Sequence, residues 1–149
     1  MKKIYYAFFI LFMLIGSLTA GNNKHYMIEA LSSWTNQSGS TLYINSVDNN
    51  GLFSGTYINR EAGYRCQNIP YPVTGWIYGT AITFTTKWAS SSESCNSITA
   101  WTGFLYQGKI YTLWQLVSNG SSSTSQIIEG SDTFSPSDTN THKSLIPKK

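Results

Sequence analysis

Charge is scarce in this chain of 149 residues: ten Lys and Arg face seven Asp and Glu, and only 11% of positions are charged. The basic residues are scattered, with no basic stripe beside the aromatics, so nothing recommends nucleic acid or an anionic membrane surface as a partner. Histidine is scarcer still. His25 and His142 are the only two and sit near the ends of the chain, which leaves no Ser-His-Asp set and too few ligands for a zinc site in the folded region. A glycosidase would need two carboxylates flanking a cleft, and Glu93 with Asp132 is the only pair worth naming. The sequence therefore predicts a non-catalytic protein without metal or cofactor, one that binds a small molecule and does not transform it.

Long apolar runs are also absent but for one. Met1-Lys2-Lys3 is basic, residues 4–15 are almost unbroken apolar sequence, and Gly16-Ser17-Leu18-Thr19-Ala20 offers a small-residue exit. The run is shorter than the about 20 apolar residues of a spanning helix. Residues 1–20 read as a signal peptide cut after Ala20, and Gly21 in place of cysteine speaks against a lipid anchor. The expectation is a secreted or periplasmic protein with no membrane contact in its mature form. Losing Lys2 and Lys3 leaves eight basic against seven acidic residues, a formal charge of +1. What remains fits one domain of roughly 100 to 150 residues. Residues 21–29 read as a flexible lead-in, 30–135 as the folded domain and 136–149 as a solvated tail.

Cys66 and Cys95, the only cysteines, both fall in the exported part. An even pair in an oxidising compartment reads as a disulfide, here a staple between two turn-like stretches, with two free thiols as the other reading.

What the chain does have is aromatic, β-branched and turn-forming residues: 15% are Phe, Trp or Tyr, with five tryptophans and twelve glycines. Strand-like runs at 31–35, 41–47, 52–59, 73–78, 80–88, 99–106, 109–117 and 126–134 alternate with Gly, Asn, Asp and Ser turns. Sequential hairpins imply an antiparallel meander, and eight strands can close into a barrel whose interior holds one small ligand. A two-sheet sandwich is the other architecture the strand pattern allows. Alternate residues of a strand share a face. That puts Ser97, Thr99 and Trp101 on one side, Trp114 and Leu116 on one side of the next run, and Tyr57 with Asn59 on an earlier one. Aromatic walls with a few fixed polar groups are the usual make-up of a small-ligand site. A secreted carbohydrate-binding module, with its tryptophans set out as an exposed platform, is the rival reading.

Five stretches then occur in order: Ser33-Trp34-Thr35-Asn36-Gln37-Ser38-Gly39-Ser40-Thr41, Gly55-Thr56-Tyr57-Ile58-Asn59, Trp101-Thr102-Gly103, Trp114-Gln115-Leu116 and Asp132-Thr133-Phe134. On these the chain resembles the avidin and streptavidin family of biotin-binding proteins. The stretches around Cys66 and Cys95 look like its dimeric bacterial branch, typified by rhizavidin. The resemblance implies an eight-stranded antiparallel up-and-down barrel of the avidin type. It also implies a biotin pocket in which Asn36, Ser40 and Tyr57 donate to the ureido oxygen, and Asn59 and Asp132 accept from the ureido N–H groups. Asn59 stands where the best-known members carry serine or threonine. Thr99 would touch the thiophene sulfur and Ser97 would help hold the valeryl carboxylate. Trp88, Trp101, Trp114 and Leu116 would form the walls, and the loop from Arg60 to Tyr64 would close over the ligand. Residues 121–125 carry no tryptophan where tetrameric members reach one across an interface, so the resemblance implies a homodimer with sites complete within each subunit.

Overall fold

The structure, a computed structural model, describes residues 27–137. The leader read at residues 1–20, His25, and residues 138–149 with His142 lie outside the described residues. The elements run β1 (Ser32–Thr35), β2 (Thr41–Val47), β3 (Leu52–Ile58), β4 (Pro70–Tyr78), β5 (Ala81–Trp88), β6 (Ser97–Tyr106), β7 (Lys109–Ser118) and β8 (Ile128–Pro136). A 3-10 turn at Thr124–Gln126 precedes β8, capped reciprocally by Ser123 and Gln126.

Each strand pairs antiparallel with the next and β8 returns to β1, so the sheet closes into a barrel. The up-and-down barrel is the fold, and the sandwich alternative is set aside. Side-chain alternation is what permits it. In β5, Ile82, Phe84, Thr86 and Trp88 are buried inside while Ala81, Thr83, Thr85 and Lys87 face out. An inward apolar set on successive strands has one way to leave water without exposing a long unpaired edge, which is closure.

The seams differ in length. β6 and β7 pair from Ser97↔Ser118 to Tyr106↔Lys109, whereas β1 and β8 share only Trp34↔Pro136 and Thr35↔Ser135. The connections alternate between the two ends of the barrel. Short turns at 48–51, 79–80 and 107–108 close one end; the longer links 36–40, 59–69, 89–96 and 119–127 all lie at the other. Gln107 and Gly108 both adopt positive φ (48° and 76°), as the tightest hairpin turns require. At the short-turn end Phe53, Ile82, Leu105 and Ile110 fill the interior. Phe84 and Phe134 form a floor above them, and burying each such ring contributes about 1.5 to 3 kcal/mol. The other end is left open.

Every strand but β2 differs from the sequence reading by one to three residues at an end, and two of these shifts have a clear structural cause. β4 begins at Pro70 instead of 73, because Pro70 and Pro72 pair only with β3 (Ile58↔Pro70, Thr56↔Pro72) and β5 joins from Val73. A strand paired on one side tolerates a residue that lacks an N–H. β8 runs past Phe134 to Pro136, and the Ser137 N–H donates to Ser33 O at 2.8 Å, which finishes the β1 seam.

Candidate functional site

The open end leads into a cavity of about 710 Å³, within the range of roughly 300 to 1,000 Å³ common for small-molecule sites. Asn36, Ser40, Tyr57, Asn59, Trp88, Ser97, Thr99, Trp101, Trp114, Leu116 and Asp132 all line it. The structure thus brings together residues that span most of the domain. Strand register explains the meeting: Thr99↔Leu116 and Trp101↔Trp114 are direct cross-strand partners on β6 and β7, and Thr112↔Asp132 sets β8 beside them.

Asp132 is the electrostatic centre. It is buried, and it accepts three hydrogen bonds: Oδ1 from Asn36 Nδ2 (2.8 Å) and Gln37 Nε2 (3.0 Å), Oδ2 from Trp101 Nε1 (2.9 Å). A carboxylate offers about four acceptor positions, so one is left, on Oδ2, for a donor arriving in the cavity. Three neutral N–H donors, from Asn36, Gln37 and Trp101, hold the carboxylate.

Asn36 faces the cavity through its nitrogen. Its Oδ1 is consumed by the backbone N–H groups of Ser38 (3.1 Å) and Ser40 (2.8 Å), an Asx-type lock on the β1–β2 turn. Nδ2 therefore points inward, one hydrogen toward Asp132 and the other toward Tyr57 Oη at a long 3.5 Å. Ser40 Oγ accepts from the Arg60 N–H at 2.8 Å and donates only loosely to Asn59 Oδ1 at 3.4 Å, so its proton can turn to a ligand. Burial pushes the Tyr57 phenol well above its ordinary pKa, with the Asp132 and Glu61 charges adding to the rise and a Ser40 hydrogen bond opposing it. Tyr57 is thus a neutral O–H donor. Its ring is held by Trp101 at 5.0 Å, by Trp88 edge-on at 5.8 Å and by Phe134 at 6.4 Å. Ser40 and Tyr57 thus bring O–H donors to the cavity, and Asn36 adds the Nδ2 hydrogen held only by the long contact to Tyr57. On the other side, Asn59 Oδ1 accepts from the Glu61 N–H at 3.0 Å.

Toward the mouth, Trp88 Nε1 donates to Thr99 Oγ1 at 2.8 Å, which leaves the Thr99 proton free. Ser97 donates its own proton to Cys95 O at 2.8 Å and would have to turn away from it to donate to a ligand. Trp34 stays out of the cavity; it is core, with its indole N–H on Ser32 Oγ. Trp88 and Trp101 are buried inside the cup, unlike the exposed platform of the carbohydrate-module reading.

Cys66 and Cys95 are joined, with Cα atoms 6.1 Å apart, tying the 59–69 link to the 89–96 link. Glu93 Oε2 accepts the Cys66 N–H at 2.6 Å beside the bond, and Glu93 does not line the cavity with Asp132. Glu61, Gly63, Tyr64 and Arg65 of the first link border the mouth. Among the described residues no group of three His, Cys, Asp or Glu could hold a metal, and no helix is long and apolar enough to cross a membrane.

Sequence reasoning named Gln37 within a motif and Arg60 at the start of the loop expected over the ligand, but missed the supporting contacts of both. Arg60 clasps the β1–β2 turn, its Nη1 donating to Gly39 O (3.0 Å) and Thr41 Oγ1 (2.8 Å). Gln37 reaches β8. Their partners lie far along the chain, and no local pattern announces either contact.

A family model described as the Avidin family matches residues 24–137. Afifavidin of Afifella pfennigii is 44% identical over 107 residues, covering 69% of this chain and 66% of that protein, just under two thirds of its length. A solved complex of a shwanavidin variant with biotin is 61% identical with a TM-score of 0.72, covering 75% of this chain and 99% of that one. A solved rhizavidin–biotin complex is 44% identical with a TM-score of 0.65, covering 81% and 98%.

Proposed function

The chain belongs to the avidin family, and from that premise we propose that it is an exported, non-catalytic protein that holds biotin in the barrel cavity. The observation that carries this reading is the arrangement around Asp132: one acceptor position left on Oδ2, facing a cavity into which Asn36, Ser40 and Tyr57 bring donors. A cyclic urea presents the complement, one carbonyl oxygen between two N–H groups. Ser40, Tyr57 and Asn36 donate to the oxygen. Asp132 Oδ2 and Asn59 Oδ1 each accept one N–H, the former in a charge-assisted bond roughly twice as strong as a neutral one. The free Thr99 proton meets the ring sulfur, and Ser97 turns to the carboxylate at the mouth. Trp88, Trp101, Trp114 and Leu116 exclude water, so each hydrogen bond acts in a low dielectric.

Preorganisation supports tight binding. Asn36 is locked by the turn, Tyr57 by three rings and the rim by the disulfide, so little ordering remains to be lost when the ligand arrives. The disulfide also fits export, which we infer together with removal of residues 1–20. Residues 121–125 contribute no tryptophan to a neighbour, so a homodimer with one complete site per subunit is the assembly we assign.

The test is a calorimetric titration of the oxidised protein, residues 21–149, with free biotin. One site per chain with strong exothermic heat is expected. No heat, and no protection against thermal unfolding, would overturn the reading and send the cavity to a screen of sugars and other small molecules.

A further inference from the structure

Beside Asp132 the cavity and the outer surface share lining residues. Asn36 and Gln37 line the cavity, and they also line a shallow groove on the outer surface between β1 and β8, together with Thr35, Lys109, Thr133 and Ser137. This is where β1 ends. Its last pair with β8 is Thr35↔Ser135, so the backbone of Ser131 and Thr133 has no strand to meet on that side.

Gln37 takes the missing place. Its Oε1 accepts the Thr133 N–H at 2.9 Å and its Nε2 donates to Ser131 O at 3.2 Å, the pair of bonds that one residue of a parallel neighbouring strand would make with its C=O and N–H. The second Nε2 hydrogen goes to Asp132 Oδ1 at 3.0 Å. The residue itself is exposed, so its side chain is the layer that separates a buried carboxylate from solvent.

We propose that Gln37 is the positioning residue for Asp132: its amide stands in for the missing strand at the β1–β8 seam, fixes the carboxylate rotamer and keeps outside water off it. This rests on the biotin reading for its functional consequence, but not for its structural one. With Oδ1 committed to Gln37 and Asn36, Oδ2 is the oxygen turned to the ligand. Without Gln37, water enters at the seam, solvates Oδ1 and lets the carboxylate swing, so the bond to the ligand is made by a group that must first be ordered.

Two indole protons test this without any ligand. Trp101 Nε1–H is bonded to Asp132 and Trp88 Nε1–H to Thr99, so hydrogen exchange of the two, followed by NMR in the apo protein, separates local from global effects. In Gln37→Leu the Trp101 proton should exchange roughly tenfold faster while Trp88 stays unchanged, since only the bonds at the seam are lost. Gln37→Glu keeps an acceptor for the Thr133 N–H and loses the donor to Asp132; it should show the same selective change if the leucine variant does not fold. Equal acceleration of both protons, or of neither, overturns the proposal. The second arm is the biotin dissociation rate. Gln37→Leu should speed it roughly tenfold in the native chain, and by less than about twofold in an Asp132→Ala chain, where there is no carboxylate to position. Equal factors in both chains mark a merely structural role and overturn it. If the native chain fails to bind biotin, the biotin reading falls and the exchange arm still decides the role of Gln37.

Discussion

Tyr57 illustrates how burial converts a common strand residue into a specific donor. On its own in β3 it reads as an ordinary aromatic with strand preference. Inside the barrel, desolvation and the nearby Asp132 charge keep the phenol protonated. The consequence for stability has a definite sign. The folded pKa is raised above the ordinary phenol value of about 10, so the contribution of the neutral phenol is full below that pH and is lost as pH climbs above it toward the folded value. Spectrophotometric titration of the apo protein should find one tyrosine that ionises only as the fold is lost, and Tyr57→Phe should remove that step. The same variant should bind biotin about tenfold more weakly for want of one hydrogen bond worth about 1.5 kcal/mol. Unchanged affinity would deny Tyr57 its place at the ureido oxygen. Residue types at this scale were legible in the sequence, since Tyr57, Asn59 and Asp132 stand in motifs. Their protonation and hydrogen-bond direction were not, because both depend on neighbours from other strands.

Among the elements, β7 and β8 show how a strand makes room for a wall of the cavity. Trp114 and Gly130 face each other across the ladder, and the indole lies over the glycine. A Cβ on Gly130 would stand 2.4 Å from Trp114 Cζ2 and 2.7 Å from Cε2. Gly130→Ala must therefore displace the indole into the cavity. The expected cost is about 1 to 3 kcal/mol of stability from overpacking, with a shifted tryptophan emission and weaker biotin binding. Native affinity in that variant would mean Trp114 does not need its present position. The alternation of β6 and β7 predicted which side chains point inward, and the structure agrees for Ser97, Thr99, Trp101, Trp114 and Leu116. The start of β4 was not legible, because proline reads as a strand breaker until it is known that Pro70 and Pro72 are paired on one side only.

For the molecule as a whole, the outer face of β4 to β7 is the feature the pocket does not explain. Trp76, Tyr78, Ile98, Phe104, Leu113 and Val117 are exposed there, and cross-strand register puts Leu113 beside Thr102 and Phe104 beside Ala81 and Tyr111. Charges lie only toward its edges, at Lys87, Lys109 and Glu129. Large exposed apolar side chains set among Thr83, Thr85, Thr102 and Gln115, with charges at the rim, fit a subunit contact, and we propose this face for the homodimer inferred above. Leu113→Arg with Phe104→Glu should convert a dimeric mass in light scattering to a monomeric one, with the biotin site retained in each chain. A dimer that survives both changes would place the contact elsewhere.

Composition, alternation and motif order by themselves determined an all-β chain, its eight strands, the residues that face inward and the family whose pattern they carry. Those properties are local or periodic, so each is written within a few residues. Only the tertiary structure decided that one cavity end is open and the other packed, and that Asp132 keeps a single acceptor position free. It alone showed that the β1–β8 seam is completed by a glutamine side chain. These depend on barrel closure, which joins residues about a hundred positions apart, and no periodicity along a chain records which distant groups closure will bring into contact.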